Sequence, residues 1–333
     1  MPGHPGFRFV PPGARGRIRD TVLATALDVI HAQGHFAIGR ALIGVGRDLG
    51  IPVAATNHFM PDNLVHHLGL PGPLERLVER ADWADFARVF NGADRVTAPT
   101  PFAADLAQRR DVRTRVQPVS CGMDLSRFSL SVDPAPFRTR HGLGSRPTIV
   151  FVGRLDAEKH VEQLIAALPA VRERVNAQLL IVGTGHQGER LRALATRLGA
   201  VDHVRFSGFV ADEDLPAAYA AANVCVNPGT AELQSIVTLK AIATGKPVVG
   251  ANAGALSLLV RDGANGHLFT PGDVPGLGRA LTRILTDDLL RTRMGRESLA
   301  LVAAHDVAAT FEAFEAVYAD LGVTAEPGRR LVG

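Results

Sequence analysis

PTIVFVGRLDAEKHVEQLIAALPAVRER, residues 147–174, reads as a buried strand, a short glycine-led loop and a helix. TIVFV is an unbroken apolar run, the pattern of a parallel strand covered on both faces. The strand ends at Gly153, where a missing Cβ lets the backbone approach a ligand. The loop then supplies Arg154, a planar fork, and Lys159, a point charge. The helix opening at VEQLI adds its N-terminal dipole. One strand-loop-helix of this kind predicts a parallel α/β layer with an anion-ready edge.

Outward from this stretch the alternation recurs. AQLLIVG, VRFSGF, VCVNPG and PVVGAN read as strands, and ERLRALATRLG, LPAAYAAA and SIVTLKAIATG as helices. Upstream, DVIHA, IPVAATN and RVTAP read as strands beside helices such as GRALIGVGRDLG. Alternating strands and helices predict parallel sheets with helices on both faces. SVDPAPFRTRHGLGSRP, residues 131–147, is rich in Pro and Gly and reads as a linker. The expected organisation is a first Rossmann-like domain over 1–130, the linker over 131–147, a second domain over 148–305, and a helical tail over 306–325. The first half offers only three or four strands and no opening strand with a Gly-rich turn before DVIHA. It is therefore read as an incomplete doubly wound domain.

Composition narrows the classes. The 333 residues are 46% hydrophobic and 21% charged, enough apolar content for two packed cores. No apolar run approaches a membrane span, and the first twenty residues lack a signal-peptide core. Cys121 and Cys225 stand in separate halves and form no disulfide framework or metal spacing, so a reducing cytoplasm is the expected home. A net charge of +3 is too weak to argue for nucleic acid. Arg15, Arg17 and Arg19 form a cationic cluster, either a solvated face or a contact for an anionic membrane surface.

The most informative chemistry lies in NPGTAELQSIVTLKAIATGKPVV, residues 227–249. A strand runs into Pro228, Gly229 and Thr230. Glu232 follows at the mouth of a helix starting near Ser235. Loop amides and a helix N-terminus suit a sugar diphosphate, and a carboxylate there can accept from sugar hydroxyls. In VRFSGFV, Gly208 ends a strand where exposed backbone groups could meet a base. Asp212-Glu213-Asp214 has a metal-like D-x-D spacing, but it precedes a helix, so capping and dipole pairing are expected instead. His31 and His35 lie at a strand end and its loop rather than on one helix face, and no metal is expected.

FVGRLDAEKHVEQLI, VRFSGFV, AELQSIVTLKAIATGKPVV and AGALSLLVRDGANGHLF together resemble the donor-binding half of the retaining glycosyltransferases of family 4. These have the GT-B fold, two Rossmann-like domains facing a cleft. VIHAQGHFAIGRAL, IPVAATNHFMPDNL, VTAPTPFAADL and VSCGMDLSRF resemble the subgroup that glycosylates diacylglycerol and related lipids or polyprenols. The resemblance implies that Arg154 and Lys159, after Gly153, bind a diphosphate. It places Gly208, Phe209 and Val210 beside the nucleobase and gives Glu232 the donor-sugar hydroxyls. It brings the amides of Gln234, Ser235, Ile236 and Val237 to the diphosphate. The family's second glutamate, which accepts from the ribose diol, is Lys240 here, an ammonium with three donors and no acceptor. Leu258 stands where a glutamate is usual. Gln33 stands where many relatives carry a histidine, which makes His35 the nearest candidate to contact sugar or acceptor. The resemblance also implies further strands and a Gly-rich loop ahead of residue 1.

The implied activity is transfer of a hexose, with retention, from a UDP- or GDP-linked sugar to an acceptor, a membrane lipid or polyprenol. No cofactor or metal is implied, and no nucleic acid. Peripheral contact with the inner face of the membrane is compatible. The rival reading is a degenerate GT-B chain, weak or inactive, that serves as a binding or interaction module. Lys240, Leu258 and the short first domain favour that rival.

Overall fold

A computed structural model of the chain describes residues 13–60 and 72–323. The residues before 13, residues 61–64 of the IPVAATNHFMPDNL motif and the tail beyond 323 lie outside the described residues. The chain divides into two units, residues 1–120 with 310–333, and residues 121–309.

The first unit holds α1 (Ala14–Thr25), β1 (Ile30–Ala32), α2 (Ala37–Leu49), β2 (Val53–Thr56), α3 (Gly72–Phe90), β3 (Arg95–Ala98), α4 (Pro101–Arg109) and β4 (Val116–Pro118). Its described strands form a parallel sheet in the simple order β1-β2-β3-β4. Val53, Ala54 and Ala55 are fully buried, as expected of a strand covered on both faces. Thr100 caps α4 by accepting from the Ala103 N–H, with Pro101 in the first turn, where its missing donor costs nothing. Arg15, Arg17 and Arg19 lie on α1 and are exposed, and Arg15 pairs with Asp48.

The second unit begins with α5 (Ala135–Arg140). β5 (Thr148–Val152), α6 (Val161–Arg172), β6 (Gln178–Val182), α7 (Gly188–Arg197) and β7 (Val204–Gly208) follow. Then come α8 (Leu215–Ala220), β8 (Val224–Asn227), α9 (Ile236–Ala243), β9 (Val248–Ala251), α10 (Leu256–Leu259), β10 (Gly266–Phe269), α11 (Val274–Thr286) and α12 (Asp288–Val302). The six strands are parallel in the order β10-β9-β8-β5-β6-β7. Burial follows that order. TIVFV, QLLIV, VCVN and VVGA fill the centre and are almost wholly buried, while β7 and β10 at the edges are half open.

The order fixes where a ligand can enter. From β5 the chain runs outward to β6 and β7, then returns to β8 on the other side of β5. The crevice beyond the carboxyl ends of β5 and β8 is therefore the topological switch point. The backbone crowds together at the neighbouring strand ends. A Cβ on Gly183 would sit 1.9 Å from the Gly153 oxygen, and Gly183 has φ +134°. Only glycine fits there.

Residues 131–147 are not a loose connection. They contain α5, and Phe137 and Leu143 are buried in the second unit's core. Arg138 donates to the carbonyls of Gly144, Arg146 and Ala221, closing the segment on itself and on α8. Pro and Gly composition marked turns here but not the core residues between them.

The last helix, α13 (Val307–Ala319), returns to the first unit. Val317 is buried against Ala54 and Val119.

Candidate functional site in the second unit

The strand ends at the switch point carry the expected residues. Gly153 closes β5 with φ +157°, donating its N–H to the Val182 carbonyl. Lys159 ends a 3-10 turn, Ala157–Lys159, and reaches across to the loop after β8. Its Nζ donates to Glu232 Oε1 at 2.7 Å. Arg154 is exposed and lies between two carboxylates of its own loop, Asp156 at 2.8 Å and Glu158 at 3.1 Å.

Asn227, buried at the end of β8, organises the second loop. Its Oδ1 accepts from the Gly229 N–H at 3.0 Å, and its Nδ2 donates to Ser235 Oγ at 2.9 Å. Ser235 caps α9, accepting from the Thr238 N–H. A Cβ on Gly229 would come within 3.0 Å of Asn227 Oδ1, 3.4 Å of Glu232 Oε1 and 3.5 Å of Lys159 Cδ. The glycine leaves the space in which cation and carboxylate meet. Gln234 is buried and accepts from the Cys121 N–H at 2.8 Å, which fixes the turn ahead of α9. Ile236 and Val237 form the first turn of that helix and are half-buried.

The loop after β7 leaves the edge of the sheet, two strands from β5. Gly208, in the left-handed region at φ +71°, accepts from the Gly183 N–H. Phe209 is 80% exposed, while Val210 packs on the core. Lys240, on α9, donates to Asp212 Oδ1 at 3.0 Å and is already engaged. The D-x-D stretch makes no side-chain cap on α8. Asp212 pairs with Arg127 and Lys240, and Asp214 with Arg140. Ion pairing, not capping, accounts for these carboxylates. Leu258 lies partly exposed on α10.

Sequence reasoning missed three participants. His160 takes a left-handed conformation at the start of α6, φ 50°, and its Nε2 lies 3.3 Å from Thr230 Oγ1. Its place directly after Lys159 was the available signal. Asn227 could have been suspected from its position at a strand end before Pro-Gly. Nothing in the sequence joins Asp212 to Arg127.

His35 lies in the loop after β1, as expected, but its ring is turned inward. It belongs to the first unit and is 2% exposed, surrounded by the rings of Phe36, Phe59, Phe86 and Phe90. Burial pulls its pKa down to about 4. Its role as a contact for sugar or acceptor is therefore corrected: as folded, it is a neutral core ring. Asn57 is also turned inward, accepting from the Phe59 N–H. Gln33 and His58 are exposed instead, and His58 Nε2 lies 2.7 Å from Gln33 Oε1. Beneath them His31 bridges Thr56 at 2.6 Å and Tyr318 at 2.7 Å. Burial, then His58, lower its pKa to about 4.

Among the described residues no three His, Cys, Asp or Glu side chains are grouped to hold a metal. No described helix is long and apolar enough to cross a membrane.

A doubly wound α/β unit with a cation, a carboxylate and a capped helix at its switch point is a candidate anion-binding site. A family model for glycosyl transferases group 1 matches residues 146–287, and one for glycosyltransferase family 4 matches residues 1–127. A GDP-mannose-dependent alpha-(1-6)-phosphatidylinositol monomannoside mannosyltransferase of Mycobacterium tuberculosis is 35% identical over 220 residues, 62% of this chain and 57% of that protein. An alpha-monoglucosyldiacylglycerol synthase of Streptococcus pneumoniae is 26% identical over 254 residues, 73% of this chain and 56% of that protein. The chain thus spans little more than half the length of these relatives. Among solved structures, Anabaena HepE in complex with UDP superposes with a TM-score of 0.79 at 22% identity, covering 92% of this chain and 82% of that one. The chain belongs to the group 1, family 4 glycosyltransferases and has their GT-B fold.

Proposed function

We propose that the protein transfers a hexose from a nucleoside diphosphate sugar to a lipid or polyprenol acceptor, with retention at the anomeric carbon. The observation that carries this reading is the Lys159–Glu232 pair at the switch point between β5 and β8. Arg154, Lys159 and the N-terminus of α9 at Ser235 would neutralise the departing diphosphate, which is where charge develops as the glycosidic bond breaks. Glu232 would accept from the sugar's hydroxyls, and Phe209 with the Gly208 turn would face the base. A lipid acceptor is supported by two relatives named for lipid glycosylation. The test incubates the full chain with UDP- and GDP-hexoses and lipid vesicles containing diacylglycerol or a polyprenol. Nucleoside diphosphate release and labelled lipid are measured, and the product anomer is read by NMR. No release above the protein-free rate with any pair would sink the proposal.

A second reading, a chain that binds nucleotide without turnover, is favoured by one observation. Arg154, Lys159 and Lys240 are each already paired with carboxylates of the same unit. Binding by calorimetry without release of product would select it.

A further inference from the structure

The loop leaving β7 carries a carboxylate fixed from two sides. Asp212 Oδ1 accepts from Lys240 Nζ at 3.0 Å, and Oδ2 accepts from Arg127 Nη1 at 2.6 Å. Arg127 Nη2 also donates to the Asp212 main-chain carbonyl at 3.0 Å, so backbone and side chain are held together. The Lys240 ammonium lies 5.3 Å from the centre of the Phe128 ring. Three separate elements meet here: the 3-10 turn Leu125–Arg127, the loop after β7, and α9.

Exposed ion pairs add little to stability. What this arrangement does produce is a rigid acceptor. The Asp212 side chain remains 52% exposed, and each oxygen keeps lone-pair capacity beyond its one bond. The Arg127 guanidinium first, and Lys240 second, hold its carboxyl below the usual carboxylate range, so it stays ionised. The location is the carboxyl edge of a doubly wound sheet, where ligands bind. Phe209 presents its open ring in the same loop. A flat apolar face beside a fixed carboxylate suits a nucleoside: a base stacks on the ring, and two vicinal hydroxyls donate to the oxygens.

Resting on the nucleoside diphosphate reading above, we propose that Asp212 is the residue that recognises the ribose diol, and that Lys240 is a positioning residue that holds it. Lys240 offers no acceptor itself. It presents one from a neighbouring loop, so the site is rewired rather than decayed.

Calorimetry on the full chain with UDP, GDP and their 2′-deoxy analogues tests this. The wild type should prefer the ribonucleotide by roughly ten-fold, the value of one charge-assisted hydrogen bond. Asp212→Ala should abolish the preference by weakening the ribonucleotide more than the 2′-deoxynucleotide, which loses only the bond from its 3′-hydroxyl, with an unchanged melting temperature. Lys240→Met should also reduce it, because Asp212 is then held from the Arg127 side only. The exchange Asp212→Lys with Lys240→Glu should restore it, since the carboxylate returns from the opposite side. Equal weakening of both nucleotides in Asp212→Ala, or no weakening, would make the cluster a structural salt bridge and overturn the proposal. A wild type that binds both analogues equally overturns the Asp212 assignment and leaves the donor reading intact. A wild type that binds neither UDP nor GDP removes both.

Discussion

Lys159 Nζ and Glu232 Oε1 meet at 2.7 Å, joining the loop after β5 to the loop after β8. Both side chains are largely buried. Lys159→Ala therefore removes a diphosphate contact and leaves a sheltered carboxylate unpaired, which repels an incoming anion. Affinity for UDP or GDP should fall roughly ten- to a hundred-fold, the range for losing a charge-assisted bond. Calorimetry checks this, and unchanged affinity would reduce Lys159 to a counterion of Glu232.

Arg154 sits between Asp156 and Glu158, so a phosphate must compete with carboxylates for it. Arg154→Ala should weaken nucleoside diphosphate binding. Glu158→Gln should strengthen it, because one competitor loses its charge while the shape stays. If Glu158→Gln weakens binding as much as Arg154→Ala does, the carboxylate positions the arginine rather than restraining it.

The buried His35 predicts an acid limb in the stability profile. Its folded pKa, about 4, lies below the ordinary 6.5. An unfolded chain takes up the proton as pH falls below 6.5, whereas the folded one resists it until about 4. The stability from a neutral His35 is complete above pH 6.5 and is lost as pH falls towards 4. His31 behaves alike. His35→Phe keeps an aromatic ring among Phe36, Phe59, Phe86 and Phe90 and removes one titration. Its stability in urea should decline less steeply than the wild type's from pH 6.5 to 4, by up to about 1.4 kcal/mol per pH unit. Parallel slopes would mean that His35 takes its proton in the folded state as readily as in the unfolded chain.

Phe137→Ala tests whether residues 131–147 are part of the core. A buried phenylalanine truncated to alanine costs about 3–5 kcal/mol, against near zero in a true linker. Denaturant unfolding, followed by a probe in the second unit, distinguishes the two.

The sheet strands were legible because TIVFV, QLLIV and VVGA are buried on both faces and must be apolar throughout. β4 and β10 were not, since Val116–Pro118 is three residues long and ends in a proline, and Gly266–Phe269 opens on a glycine and is half open at the sheet edge. The strand-end residues Gly153, Lys159, Glu232 and Ser235 could be read from spacing because each is placed by the local strand-loop-helix. His35 could not: its neighbours Phe86 and Phe90 come from a helix remote in sequence. The partner of Lys240 was hidden for the same reason, because Asp212 approaches it through tertiary packing from another loop.

Helix α13 completes the first unit with residues that follow the whole second unit in sequence. Val317 packs on Ala54 and Val119, Tyr318 bonds His31, and Thr310 Oγ1 donates to the Ser120 carbonyl at 3.1 Å. During synthesis the first sheet leaves the ribosome early, yet its closing helix must wait for residues 121–309 to be made. At about 5–20 residues per second that delay is on the order of 10–40 s. The second unit is one uninterrupted segment and can fold within this window. The unit made first is the one finished last, and for that interval its stability in the cell depends on time as well as on sequence.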